Sequence, residues 1–132
     1  MKYLLDTHIW IWYHMNPEKL SGRIKALISD PESYEILILS AISIWEFSKL
    51  IEKKKLIISC DPLQWIYQAL DMVRLQLLPL SPAIAYNSTR LPQPFHDDPA
   101  DQIIAASAIE ESAVLITKDK LLLDYPYIET IW

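Results

Sequence analysis

Glycine is nearly absent from this chain: Gly22 is the only one among 132 residues. That absence excludes the glycine-rich phosphate-binding loops, both the P-loop and the dinucleotide-binding fingerprint, because each needs several glycines at fixed spacing. Cysteine is as scarce. Cys60 stands alone, so no internal disulfide can form, which agrees with a reducing compartment. Long apolar runs are missing too. The longest strongly apolar uncharged stretch, Ile36 to Trp45, has ten residues, whereas a membrane-spanning helix needs about 20. The opening MKYLLDTHIW is broken by Asp6 before a secretory apolar segment can form, and no small-residue cleavage site follows. A soluble cytoplasmic protein is expected. Positive charge is in deficit, with a net charge of −5, which argues against a general electrostatic grip on nucleic acid. It leaves room for a nucleic-acid enzyme whose acids are gathered at a metal, because the ion reverses the local field that a phosphate meets.

What the chain does have is apolar material in short blocks. Hydrophobic residues make up 52%, enough for one domain spanning residues 1–132. A chain of this size buries roughly two-thirds of its unfolded surface. There is no internal repeat and no low-complexity segment. Strands are predicted at Lys2–Leu5, Tyr34–Ser40, Leu75–Ser81 and Ala113–Thr117, with a short edge strand within Tyr127–Trp132. Helical patterns lie between them, at His8–His14, Pro17–Ser29, Ala41–Lys54, Pro62–Arg74, Pro82–Arg90 and Pro99–Glu111. Four of these open near a proline, which suits the first helical turn. Alternating strands and helices predict an α/β fold with a parallel sheet covered on both faces. Ligands in such sheets bind beyond the carboxyl ends of the strands, near a reversal of strand order.

Acids stand at those ends. Asp6 follows the first strand, either as an N-cap for the next helix or as a ligand. Glu46, in SAISIWEFSKL, lies about 9 Å along its helix if Ser40 caps it. It is a solvated acid paired with Lys49 or Lys53, or an inward one, given Trp45 and Phe47 beside it. In FHDDPADQIIAASA, Asp97, Asp98 and Asp101 crowd ahead of an apolar helix. Asp98 before Pro99 makes a good cap, and Asp101 complements the helix dipole. Asp101 also begins the series Asp101, Ala105, Ala108, the small-residue side on which a helix can close on a sheet. Asp119, after the fourth strand, caps Lys120–Asp124 or faces the same edge, with the Thr117 hydroxyl on its side of the chain. Each acid alone has a structural reading. Gathered at one edge they repel, and leaving them unpaired in a cleft is costly. A divalent cation removes that cost. Oxygen-only ligands favour Mg²⁺ or Mn²⁺, and two such ions can activate water and stabilise the leaving oxygen in phosphodiester cleavage.

The stretches LLDTHIWIW, SAISIWEFSKL, HDDPADQIIAASA and VLITKDK, in that order and spacing, resemble the PIN-domain ribonucleases, and within them the VapC-type toxins of bacterial toxin–antitoxin pairs. The resemblance runs from Met1 to Trp132 and includes the tail YPYIETIW. It implies a three-layer α/β/α sandwich with a mainly parallel sheet of four to five strands, and Mg²⁺- or Mn²⁺-dependent endonuclease activity on RNA. By motif match, Asp6, Glu46, Asp101 and Asp119 form the catalytic, metal-ligating acids. Asp98 assists, and Thr7, Ser43 and Thr117 orient carboxylates or water. A homodimer and a cognate antitoxin bound over the site are implied as well. One departure is visible: Gln102 stands where the family often carries Arg.

Other readings compete. His8, His14 and His96 offer an acid–base ribonuclease without metal. A phospho-receiver module has the same size and architecture, but it needs two adjacent acids after the first strand and an acceptor Asp ending the third. LLDTH supplies one acid and LLPLSP none. A PIN-like scaffold kept only for binding is a further alternative. The aromatic run HIWIWYHM reads as core packing or as a surface that docks a second subunit or an inhibitor helix.

Overall fold

Five short strands, all parallel, form one sheet in the order β3-β2-β1-β4-β5. The computed structural model describes all residues from Met1 to Trp132. The strands are β1 (Lys2–Leu5), β2 (Ile36–Ser40), β3 (Leu75–Leu78), β4 (Val114–Ile116) and β5 (Thr130–Ile131). The helices are α1 (Thr7–Met15), α2 (Gly22–Ser29), α3 (Ala41–Glu52), α4 (Pro62–Leu70), α5 (Pro82–Ser88), α6 (Pro99–Glu111) and α7 (Lys120–Leu123).

Side chains alternate across a strand, and the two faces of this sheet build two cores. Leu5, Leu37, Leu39 and Ile116 point to one side, where Ile9, Trp10, Ile24, Phe47 and Ile66 from α1 to α4 cover them. Leu4, Ile38, Leu78 and Leu115 point to the other, under Ile84, Ile104, Ala105 and Ala108 of α5 and α6. The register places Leu4 beside Ile38 and Leu115, so each core has a continuous apolar floor. This is the three-layer α/β/α arrangement with a parallel sheet. Trp10 anchors the first core. It is fully buried, its indole N–H donates to the Ala69 carbonyl at 3.1 Å, and Phe47 and Trp65 meet it edge-on. Trp10→Ala is expected to cost about 3–5 kcal/mol in urea denaturation, the range for truncating a large core aromatic.

Chain order creates the site. From β1 the chain lays β2 and then β3 outward on one side, then returns past β1 to lay β4 and β5 on the other. Strand order therefore reverses between β1 and β4, and a crevice opens beyond their carboxyl ends. Asp6 and Thr117 are the first residues past those two ends.

Every one of the seven helices starts on a Ser or Asp whose side chain accepts from a backbone N–H: Asp6, Ser21, Ser40, Asp61, Ser81, Asp98 and Asp119. Such caps contribute about 1 kcal/mol each.

Several expected boundaries need correction. The helix expected over Pro17–Ser29 is a single 3₁₀ turn, Pro17–Lys19, followed by α2. Leu20 is extended, and the Ser21 hydroxyl accepts the Ile24 N–H at 3.2 Å, so the helix restarts at Gly22. The helix expected to reach Arg74 stops at Leu70, where Asp71 leaves the helical region at ψ 69°; Arg74 further on turns left-handed at φ 58° and its guanidinium bonds the carbonyls of Pro31 and Tyr34. The one expected to reach Arg90 stops at Ser88, where the Ser88 and Thr89 hydroxyls donate back to the carbonyls of Ala85 and Tyr86. The helix expected over His8–His14 runs Thr7–Met15, and α3 ends at Glu52, short of Lys54 with φ 57°. Strands shrink likewise: β2 begins at Ile36, β3 ends before Pro79, β4 covers only Val114–Ile116 and β5 only Thr130–Ile131. A proline has no N–H for a ladder, which accounts for the end of β3. No helix is long and apolar enough to cross a membrane.

Candidate active site

Asp6, Glu46, Asp98, Asp101 and Asp119, from four separate stretches of chain, line one cleft of about 510 Å³ at the switch point. Capping and convergence are both true of three of these acids. Asp6, Asp98 and Asp119 cap α1, α6 and α7; Asp6 and Asp119 do so just past the ends of β1 and β4, and Asp98 at the end of the loop that follows α5.

Hydrogen bonds fix how each carboxylate is presented. Asp6 is 4% exposed. Its Oδ1 accepts the Thr7 backbone N–H at 2.8 Å and its Oδ2 accepts the Thr117 hydroxyl at 2.7 Å. The Thr7 hydroxyl donates to Glu46 Oε1 and lies 2.8 Å from Ser43 Oγ. A hydroxyl carries one proton, so Ser43 must be the donor of that second bond. The result is a directional relay, Ser43 to Thr7 to Glu46, whose serine is fully buried. Thr117 is also fully buried, and its oxygen accepts the Asp119 N–H at 3.0 Å while its proton goes to Asp6. One threonine thus ties the ends of β1 and β4 together.

Asp101 Oδ2 lies 2.6 Å from His96 Nε2, and its backbone N–H is capped by Asp98 Oδ1 at 3.0 Å. Asp119 Oδ1 accepts the Leu121 N–H at 3.0 Å. Glu46, Asp98, Asp101 and Asp119 therefore each have one oxygen engaged by a protein donor and one without.

Electrostatics record the crowding. Burial pushes the Glu46 carboxyl up to about 7; Asp6, Asp101 and Asp98 push the same way, and the Thr7 hydroxyl opposes them. Burial also raises Asp101 to about 6, against the pull of His96, with Asp6, Asp98 and Asp119 adding to the rise. Excess negative charge with unengaged oxygen donors is the chemistry of a hard-cation site. The residues present fit a divalent metal. The tightest subset is His96, Asp101 and Asp119, whose ligand atoms all lie within 4.8 Å of one another. Asp6 and Glu46 stand in the same cleft outside that trio. Thr7→Val breaks the relay. It should move the Glu46 carboxyl above its value of about 7, read by NMR titration, and weaken divalent-metal binding about 10- to 100-fold by calorimetry, as loss of an orienting partner does.

The four acids expected to form the site, and the supporting Asp98, Thr7, Ser43 and Thr117, all meet here. Among the histidines, His8 and His96 reach the acids. His8 Nε2 accepts the Lys118 N–H at 3.3 Å, so the neutral ring carries its proton on Nδ1, which faces Asp6 Oδ2 at 3.5 Å. His14 lies at the far end of α1 against Trp65. The His96–Asp101 bond was not anticipated from the sequence. Its one signal is the position of a histidine just ahead of the DDP cap. Gln102, in the place of the common Arg, reaches back to the His96 carbonyl at 3.4 Å and steadies the same loop. No acid stands at the end of β3, where a phospho-receiver needs one. A second missed feature is basic: Lys53, Lys55 and Lys49, the last ion-paired to Glu52 at 2.8 Å, line the same cleft with Trp45.

Comparison with known proteins is consistent along the chain. The family model described as PIN domain matches residues 3–126. A ribonuclease VapC22 of Mycobacterium tuberculosis is 34% identical over 131 residues, covering 98% of this chain and 97% of that protein. The fold is similar to VapBC2 of Rickettsia felis bound to a promoter DNA fragment (TM-score 0.66, 20% identity, 99% and 98% of the two chains). It is also similar to VapBC-1 of nontypeable Haemophilus influenzae (TM-score 0.67, 24% identity, 99% and 97%). With its acids gathered at the β1–β4 crevice and these matches along nearly its whole length, the chain belongs to the PIN domain family.

Proposed function

We propose that this chain is a divalent-metal-dependent endoribonuclease and the toxin of a toxin–antitoxin pair, working as one PIN-like domain over residues 1–132. The observation that carries the reading is the convergence of Asp6, Glu46, Asp98, Asp101 and Asp119 on one cleft, with four of them keeping an unengaged oxygen. The 34% identity to a ribonuclease VapC supports the choice of RNA over other phosphodiesters. The likeness to structures of VapBC complexes supports an antitoxin partner; a homodimer in the cytoplasm is proposed with it.

Asp6, Glu46, Asp101 and Asp119 would hold Mg²⁺ or Mn²⁺, with Asp98 beside them. The cation would supply the charge that makes water nucleophilic near neutral pH and stabilises the departing oxygen. The chain's own groups do the positioning. Thr117 and the Thr7 N–H hold Asp6, the Ser43–Thr7 relay holds Glu46, and His96 holds Asp101. Lys53 and Lys55, which line the same cleft as the acids, attract the phosphodiester to it.

Purified protein incubated with a single-stranded RNA should cut it with Mn²⁺ or Mg²⁺ and stop cutting in excess chelator. Equal cleavage in chelator would refute the metal-dependent reading. No cleavage with either ion would favour a scaffold that only binds. Sequencing RNA ends after brief induction, wild type against Asp101→Asn, would identify the target among transfer, messenger and ribosomal RNAs.

A further inference from the structure

We infer that a patch built from Trp12, Trp132 and Lys118, next to the cleft, is a subsite for an unpaired nucleotide of the RNA. The inference rests on the ribonuclease reading above and adds where the flanking part of the strand lies.

The patch is joined to the acids by His8. That ring faces Asp6 Oδ2 at 3.5 Å, lines the cleft, and packs on Trp12 with centroids 4.8 Å apart. His8 and Trp12 are four residues apart on α1, so they share one stripe of the helix. Trp12 in turn meets Trp132 edge-on at 6.4 Å. The Lys118 ammonium sits over both rings, 5.8 Å from Trp12 and 5.7 Å from Trp132, and Lys19 lies over Trp12 at 5.6 Å. Lys118 also stands between Thr117 and Asp119 of the site, and its N–H is the one that binds His8.

Both indoles rest one side against the first core and stay half-buried, so part of each ring faces solvent. Lys19 and Lys118 have no carboxylate partner. Two cations with no carboxylate partner thus stand over two partly open indoles beside the acidic cleft. Aromatic faces combined with mobile cations are how single-stranded nucleic acid is held without base pairing. An exposed lysine leaves an indole at little cost, since that contact contributes about 0.5–1 kcal/mol, and a phosphate is a better partner. The base then takes the ring and the ammonium takes the phosphate. The complementarity is to a polyanion carrying flat rings, which favours RNA over a partner helix.

The test is anisotropy with a labelled single-stranded oligoribonucleotide in excess chelator, so that binding is read without cleavage. Trp132→Ala should weaken binding roughly 5- to 100-fold, the range for losing one base stack. Lys118→Ala replaces an exposed side chain, leaves the fold intact, and should lower the salt slope by about one phosphate contact. Bound RNA should quench the tryptophan fluorescence of the wild type more than that of Trp132→Ala. Wild-type affinity and salt slope in Lys118→Ala, with undiminished quenching in Trp132→Ala, would overturn the subsite. If that happens while the wild type still cuts RNA with Mn²⁺, only the subsite falls. Binding that depends on Lys118 and Trp132 in a protein that never cuts would sustain the subsite and remove the nuclease. Failure of the wild type to bind single strands at all would end the proposal.

Discussion

Asp6→Asn should abolish RNA cleavage, lowering the single-turnover rate at least about 10³-fold at saturating Mn²⁺, the scale for removing a group that acts as one unit with its neighbours. The substitution keeps the shape and removes the charge. Asp6 is nearly fully buried, and both its oxygens already accept protein hydrogen bonds, from the Thr7 N–H and the Thr117 hydroxyl. A carboxamide keeps one of those acceptors and presents an N–H₂ in place of the other. Thr117 must then turn its hydroxyl, although its oxygen already accepts the Asp119 N–H. The change therefore also loosens the tie between the ends of β1 and β4. Thr117→Val isolates that second effect: Asp6 keeps its charge, and the loss should stop at about 10- to 100-fold, as for other orienting partners. The two variants together separate charge from orientation. An Asp6→Asn protein within tenfold of wild type would remove Asp6 from the chemistry.

The acids are legible in the sequence for a physical reason. In a parallel sheet the segment that leaves a strand starts a helix, and Asp is a favoured cap. The places that need caps are thus also the places that face the ligand crevice. Asp6 and Asp119 satisfy both demands at once, whereas Asp98 caps α6 after a loop from α5 and is legible from the DDP cap alone. Glu46 is harder to place, since its inward aim depends on how α3 lies across the sheet: Ile42 reaches the second core while Phe47 fills the first. His96 is not legible at all by periodicity. It belongs to the irregular segment between α5 and α6, and only that loop's path brings its Nε2 to Asp101. The lysines of the cleft are missed for a related reason. Lys53 and Lys55 lie in or beside the turn that ends α3, where a charge run reads as solvated surface. Helix ends are missed where side chains, as at Ser88, or a left-handed residue, such as Lys54, accompany the stop against the expected helical pattern.

Without metal, the protein should grow more stable as pH falls from 7.5 to 5, relative to a Glu46→Gln variant. The sign follows from the direction of the shifts. Folding raises the Glu46 carboxyl from 4.5 to about 7 and the Asp101 carboxyl from 3.8 to about 6. The folded state therefore binds more protons than the unfolded chain between those limits, and stability falls with rising pH through that window. Below the unfolded values the penalty is absent; above the folded ones it is complete. Because water reaches the cleft, the Glu46 share is on the order of 1–2 kcal/mol. Glu46→Gln keeps an oxygen for the Thr7 hydroxyl and carries no charge, so at pH 7.5 it should melt roughly 2–6 °C above the metal-free wild type. The gap should close near pH 4.5. Saturating cation reverses the order. At one hundred times its dissociation constant a bound ion adds about 2.7 kcal/mol to the wild type, and the variant, short of one ligand, gains less. Scanning calorimetry of both proteins at pH 5 and 7.5, with chelator and with Mn²⁺, gives all four comparisons. If the metal-free wild type were the more stable of the two at pH 7.5, the clustered carboxylates would not be the electrostatic burden that a metal relieves, and the case for a cation in this cleft would fall with it.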